Sequence, residues 1–409
     1  MIFLSITGSW TAAVMYDRRE KRRIQKKWAT LVEHIAEESL DPQQLPRKLS
    51  VFIAAPPADG IVSAREHFQE YVKPILVAAA LDWDAIEGRR EGDVRAGLAE
   101  RIRKLRQRRG ERSSEPLEEG LEEQIEGLRQ RSGVRNWDGP GGDIVIGRPA
   151  WKEYVRGLHE GWLGPLDAPV PTELPAIEPT PAPTPVSVEA APAAGSSTDD
   201  ASPTATPEAP KADEPEKPKE EEKPKKKKQP APFNTTVDYE NSTLSPSCPR
   251  SLGPAAVIPF PHLLGFWNFP IRIYRYLNKR KLAEDIGRET AAAVLGAYRP
   301  FETSGEAASA GSEQGATGAQ WEQQELLARE ELDWHKSVRE RKDEETRERV
   351  WLNDMVVDPR IAERMKRFMI DTDAEERAKS ITVPTEASWL KSLWPQEKKK
   401  PMWEGLSDE

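Results

Sequence analysis

The sixteen residues from Met1 to Tyr16, MIFLSITGSWTAAVMY, carry no charge, and the twelve that follow, Asp17 to Trp28, carry seven Lys/Arg against two acidic residues. An uncharged run that stops at Arg18, Arg19, Lys21, Arg22, Arg23, Lys26 and Lys27 is the pattern of a membrane anchor halted at an interface. No other feature constrains the chain so strongly, because it separates a helix that enters lipid from a large aqueous part. The anchor is short: a helix needs about 20 apolar residues to cross the hydrocarbon core, and about 17 is the lower limit. Two accounts fit this length, a helix that thins the bilayer locally and a true start lying upstream, and the second is favoured. A cleaved secretory peptide would need a basic leader and a small-x-small cleavage site, which are not seen. A buried helix of a soluble domain is the plain alternative. Gly8 and Ala12, like Ser9 and Ala13, stand four apart, so small residues line one side and would let a partner membrane helix approach closely.

Composition limits the rest. The 409 residues have room for two domains, but 36 prolines and a hydrophobic content of 37% mean that much of the chain cannot build a core. Cys248 is the single cysteine, which excludes an internal disulfide and any multi-cysteine zinc site. The five histidines, His34, His67, His159, His262 and His335, show no paired spacing, so structural roles are expected for each. The net charge of -9 hides a basic block behind the anchor and mixed charge elsewhere.

The pattern along the chain predicts six parts: an anchor at 1–16, a basic juxtamembrane helix at 17–44, a first α/β part at 45–167, a disordered linker at 168–232, a mainly helical part with a further candidate strand at 233–371, and a disordered tail at 372–409. Within the first part, LSVFIAA (49–55) and LDWDAIE (81–87) read as strands. Between them Ser63 and Glu66 have capping-box spacing, and Pro74 should kink the helix that follows. Val94, Leu98, Ile102 and Leu105 make a narrow apolar stripe on a helix otherwise crowded with Arg and Lys, read as a solvated face. DIVI (143–146) is a third strand, and Trp151, Tyr154, Val155, Leu158 and Trp162 share one face of the helix after it. The linker holds 16 prolines and no aromatic residue, a composition that cannot offset its ordering entropy. Beyond it, Ala255 to Phe260 is a further strand, Leu282 to Leu295 an amphipathic helix, Trp321 to Asp354 a long charged helix, and Arg360 to Ile370 a short one. Strands alternating with helices predict an α/β domain with a mixed or parallel sheet behind a single transmembrane helix.

Chemistry is sparsely signalled. The loop APPADG after the first strand precedes a helix N-terminus, the place where phosphates sit in many α/β folds. It has one glycine, no Lys-Ser/Thr pair and two prolines without backbone donors, so a tight connection is the better reading. Asp82 and Asp84 flank Trp83 with no histidine nearby and read as solvent-facing strand residues. The basic helix behind GRREGD could attract phosphates, but its interspersed acids favour a solvated helix and argue against nucleic acid as partner. No catalytic, cofactor or metal residues are assigned.

The strings SITGSWTAAVMYDRREKRRIQKKW (5–28), PRKLSVFIAAPPADGIVSAREHFQEYVKPILVAAALDWDAIEGRREGDVR (46–95), AWKEYVRGLHEGWLGPL (150–166) and GRETAAAVLGAYRPF (287–301) resemble one family. It is the large membrane-anchored subunit, the fifty-four-kilodalton Tim subunit, of the mitochondrial carrier translocase in its filamentous-fungal type. The resemblance implies one crossing of the inner membrane near the N-terminus and a large domain in the intermembrane space. It further implies a part in inserting multi-spanning carrier proteins, with the channel-forming subunit and the small hexameric chaperones as partners, and a link to assembly of an ATP-dependent inner-membrane protease. No catalytic residue is ascribed to the family. The polar matrix-side leader usual in the family is missing from this chain's start, so import information is expected outside it. The positive-inside rule would place the basic block, and the domain with it, in the matrix; the family's orientation is the reverse and is the one followed. The expectation is a non-enzymatic scaffold held by inner-membrane lipid. The rivals are a membrane-tethered α/β enzyme or nucleotide-binding module and a tether bridging two membranes.

Overall fold

A computed structural model describes residues 2–114, 120–135, 137, 139, 141–168, 229–304, 320–339 and 348–382. Most of the expected linker, all of it from residue 169 to 228, lies outside these residues, as does the tail beyond 382. The uncharged and basic segments form one unbroken helix, α1 (Ile2–Val32), rather than an anchor joined to a second helix. No described helix is long and apolar enough to cross a membrane. The uncharged stretch of α1 rises about 22 Å at 1.5 Å per residue, against a hydrocarbon core of about 30 Å. It also dilutes its apolar residues with Ser5, Thr7, Gly8, Ser9 and Thr11.

Six strands build one sheet in the order β2-β1-β3-β4-β8-β5. They are β1 (Lys48–Ala54), β2 (Asp82–Gly88), β3 (Asp143–Ile146), β4 (Pro254–Ile258), β5 (Tyr298–Pro300) and β8 (Lys366–Phe368). Neighbouring pairs are parallel except β5 with β8, so the sheet is mixed. A small separate ribbon pairs β6 (Thr303–Ser304) with β7 (Gln320–Trp321). The part beyond residue 233 therefore supplies three sheet strands, not one. Lys366–Phe368, expected within a helix, is extended and pairs with the strands on either side, because the helix before it, α11 (Pro359–Ala362), is a single turn that starts at the Asp358 cap and ends at Ala362.

Both faces of the sheet are covered, and the strands alternate accordingly. Leu49, Val51, Ile53, Ile144, Ile146, Ala256 and Ile258 meet the layer that contains α1, α2 (Ile61–His67), α3 (Lys73–Ala78), α8 (Lys279–Leu295) and α12 (Thr372–Ser380). Phe52, Ala54, Val145, Ala255 and Val257 meet α4 (Asp93–Arg108) and α6 (Gly147–Leu163). Burial on two sides is why the strands read as near-continuous apolar runs. The helix α12 occupies ground expected to be disordered tail, and buries Ala374 and Ala378.

Several local expectations change on packing. Ser63 does not cap its helix: α2 starts at Ile61, and the Ser63 hydroxyl donates back to the Gly60 carbonyl at 3.1 Å. Pro74 is absorbed by a π-helical turn, Phe68–Val72, inserted between α2 and α3. A proline lacks the N–H and its ring clashes with the carbonyl four residues back, so an extra residue in the turn relieves both defects. The long charged helix expected over 321–354 is broken into α9 (Glu322–Glu325), a 3-10 turn (Ala328–Asp333) and α10 (Lys336–Arg339). Its charges serve the domain: Glu330 and Glu331 bond Arg148, and Glu348 bonds Arg156.

The basic helix α4 is solvated on one side only, where Arg101, Lys104 and Arg108 are exposed. Its Arg95, Arg103 and Arg106 are buried against α6. Arg95 and Arg103 both pair with the buried Glu160, and Arg106 donates to the carbonyls of Gly161 and Gly164 at 2.7 and 2.8 Å. Gly157 and Gly161 make this approach possible. A Cβ at Gly157 would sit 2.9 Å from the Arg95 carbonyl oxygen, and one at Gly161 would sit 2.7 Å from the Ile102 side chain.

Candidate functional site

The helix α1 is docked by its basic half and leaves its uncharged half exposed. Trp28, Leu31 and Val32 are buried, with Trp28 wedged onto Gly287 of α8, where no side chain could stand. Lys21 pairs with Glu70 and lies over the Tyr71 ring, while Lys27 pairs with Glu284 and lies over the Trp28 ring. Arg18, Arg19, Arg22, Arg23 and Lys26 remain exposed. Asp17 is buried, and its carboxylate accepts from the Arg280 backbone N–H at 3.3 Å in the first turn of α8. The Arg280 guanidinium lies 5.3 Å from the Tyr16 ring centroid. Residues 2–13 are all exposed, Gly8, Ser9, Ala12 and Ala13 among them, and a side chain at Gly8 would meet nothing within 4 Å. The four small residues are thus brought together on an open face, whereas the seven basic ones divide between domain and solvent.

Beside the point where α1 leaves the domain lies an open cleft of about 940 Å³. Trp10 of α1, His67 and Tyr71 near α2, and Phe269 and Ile273 of α7 (Phe269–Tyr276) are among its walls. His67 is held neutral: burial pushes it down to about 4, and its Nε2 donates to the Pro259 carbonyl at 3.0 Å. His262 is lowered by burial, partly offset by Asp59 at 3.1 Å. Among the described residues no group of three His, Cys, Asp or Glu could hold a metal ion.

In a sheet of this order, ligands bind outside the carboxyl ends of the strands, at the switch point between β1 and β3. Here that position is closed by the protein's own carboxylates. Glu330 accepts from the Arg148 N–H at 2.9 Å, at the start of α6, and also from the Phe260 N–H at 2.6 Å. Burial raises it to about 7 against those two donors. Glu153 accepts the backbone N–H groups of Gly92, Val94 and Arg95 at the start of α4, together with the Trp351 indole. It too is raised to about 7, with burial as the largest cause. With Asp17 at α8, three helix N-termini that could attract an anion are each met by a carboxylate distant in sequence. The APPADG loop closes on itself as a tight connection: the Asp59 side chain accepts from the Gly60 N–H and its backbone N–H donates to Pro56. Asp82 and Asp84 are exposed on the edge strand β2.

The helix α6 carries no partner-facing aromatic stripe. All 17 of its residues are buried, because the segment after residue 229 and residues 323–334 and 348–358 cover the side that the sheet leaves open. Trp151 donates to the Gln323 carbonyl at 2.8 Å and Tyr154 to Asp143 at 2.7 Å. His159 accepts the Asp358 N–H at Nε2 and bonds the Val155 carbonyl through Nδ1; burial lowers it to about 4.

These features define a class: an α/β domain whose ligand positions are self-occupied, carried on a helix with an exposed uncharged half. The comparisons name the family. Residues 1–368 match the family model described as "Inner membrane protein import complex subunit Tim54". Among similar proteins, the "Mitochondrial import inner membrane translocase subunit tim54" of Aspergillus fumigatus is 49% identical over 407 residues, covering 93% of this chain and 89% of the relative. The Neurospora crassa protein of that name is 45% identical over 404 residues, covering 96% and 81%. The Saccharomyces cerevisiae one is 26% identical over 459 residues, covering 93% and 92%. The chain belongs to the Tim54 family of inner membrane protein import complex subunits.

Proposed function

We propose that the protein is the membrane-held scaffold subunit of the mitochondrial carrier translocase, a non-enzymatic component that supports insertion of multi-spanning proteins into the inner membrane. The observation that carries this reading is the division of α1, whose uncharged half stands clear of a domain that grips its other half. That half enters the inner membrane as a single short crossing, and the α/β domain faces the intermembrane space. The exposed small residues Gly8, Ser9, Ala12 and Ala13 meet the channel-forming subunit, and the domain works beside the small hexameric chaperones and their carrier clients. Self-occupied helix termini support a structural rather than a catalytic role. The linker at 168–232 lies in sequence between the two stretches that supply the strands of the one sheet.

Protease added to mitochondria tests the topology. The domain should survive in intact organelles and be digested once the outer membrane is ruptured. Protection that persists in ruptured organelles with a sealed matrix would overturn the orientation. Gly8→Leu with Ala12→Leu keeps the segment apolar, and should leave the protein in the membrane while abolishing co-purification of the channel subunit. Unchanged recovery would reject that face.

A further inference from the structure

The cleft beside α1 is bordered by a second unusual surface. Between Pro259 and Ala283 there is no acidic residue, and Arg272, Arg275, Lys279, Arg280 and Lys281 are the charges. A turn at Leu264–Asn268 is braced by the Asn268 side chain, which donates to the Leu264 carbonyl at 2.7 Å, and by the Phe269 N–H donating to Phe266. The turn holds Phe266 and Trp267 outward, 85% and 91% exposed. The helix α7 that follows buries none of its residues, and leaves Phe269, Ile271 and Tyr274 exposed beside Arg272.

So much apolar surface in so short a stretch is not normal for a face turned to water. Its own composition, aromatic residues interleaved with Arg and Lys and without an acid, is that of a segment lying in the headgroup layer of an anionic bilayer, with Arg272 left exposed while Arg275 pairs with Asp333. Its place in the fold agrees. Trp10 and Phe269 line the same cleft, and α7 runs into α8, whose first turn is bonded by Asp17 at the end of the uncharged half of α1. If residues 2–16 are in lipid, the membrane surface lies near Tyr16 and Asp17, and α7 lies beside it.

We propose that the segment 264–276 is a second membrane contact, an interfacial helix and aromatic turn that docks the domain flat against the anionic lipid surface next to the α1 anchor. This rests on the reading of α1 as membrane-inserted, and the experiment separates the two. The full chain with Cys248→Ser would receive a nitroxide at one of three introduced cysteines, Trp267→Cys, Ile6→Cys or Val237→Cys. Each would be reconstituted in vesicles of phosphatidylcholine doped with phosphatidylglycerol. Collision with oxygen against a water-soluble nickel chelate then reports depth. The label at 6 should lie in hydrocarbon, that at 267 at headgroup depth with aqueous collisions reduced severalfold, and that at 237, also exposed, in water. A label at 6 in lipid with 267 as aqueous as 237 would overturn this proposal alone. A label at 6 in water would overturn the anchor. A label at 267 that is aqueous in these vesicles yet shielded in the assembled translocase would assign the surface to a protein partner and reject lipid. Arg272→Gln with Lys281→Gln should raise the aqueous collision rate at 267, and replacing the anionic lipid with phosphatidylcholine alone should do the same. Insensitivity to both would reject the electrostatic part.

Discussion

Residues 2–16 of α1 are uncharged and stand exposed, whereas residues 17–32, dense in Lys and Arg, bury Asp17, Trp28, Leu31 and Val32 in the domain. Within one continuous helix the uncharged half is outside and the charged half is docked along one side, with Arg18, Arg19, Arg22, Arg23 and Lys26 left in solvent. Burial here follows what each stretch can reach, not its mean hydropathy. The charged half has partners placed for it: Glu70, Glu284, the Gly287 groove and the open end of α8. Among the described residues the uncharged half meets little beyond Arg280 beside the Tyr16 ring and the cleft wall that Trp10 joins.

The comparison breaks most sharply at Trp28. Trp28→Ala should remove about 3–5 kcal/mol of stability, read as a lower denaturant midpoint in mild detergent. Ile6→Ala, in the other half, should shift that midpoint by less than about 0.5 kcal/mol. Equal losses would mean that residues 2–16 also pack on the domain.

A smaller effect is expected from pH at His67, which the docked half helps to cover. Its neutral form is favoured by burial, with Lys279 and Lys21 acting in the same direction and Glu70 opposing. Its folded value of about 4 lies below the unfolded value of 6.5, so the unfolded chain binds more protons between them. Stability contributed by this group is therefore full above 6.5 and lost as pH falls towards 4, by about 3 kcal/mol in all. His67→Gln, which keeps a donor for Pro259, should flatten that part of the pH profile in chemical denaturation. An unchanged slope would place the titration elsewhere, with the equally buried His159 next in line.

The smallest change sharpens the junction itself. Asp17→Asn keeps the shape but weakens the acceptor for the Arg280 N–H, and should cost about 1–2 kcal/mol. It should also speed hydrogen exchange at the start of α8 before exchange elsewhere rises. No local change would mean that Asp17 does not hold the junction.

Much of this fold was legible. The strands β1 and β3 announced themselves as runs of Val, Ile and Leu, and Gly-Pro at 164–165 marked the end of α6. The failures share one cause. Arg95, Arg103 and Arg106 read as part of a solvated face because what receives them, Glu160 for the first two and the Gly161 and Gly164 carbonyls for the third, lies more than fifty residues away. Glu153 and Glu330 carry no signal in the sequence, since nothing local says that a carboxylate will meet a distant helix N-terminus. The spacing of Trp151, Tyr154, Val155, Leu158 and Trp162 looks like one face of an amphipathic helix, yet the other faces are covered by residues from beyond position 229. A signal for the last existed in Gly157 and Gly161, whose spacing of four predicts a close helix neighbour in water as it does in lipid.

The sequence by itself determined the uncharged run and its basic stop, the alternating α/β plan, the proline-dense segment and the family, because each rests on periodicity, composition or long matching strings. Only the tertiary structure decided that α1 is one helix divided by burial, that the ligand positions of the sheet are filled from within, and that α7 is left bare beside the exposed half of α1. Those outcomes depend on contacts between residues far apart along the chain, and such contacts leave no local pattern to read.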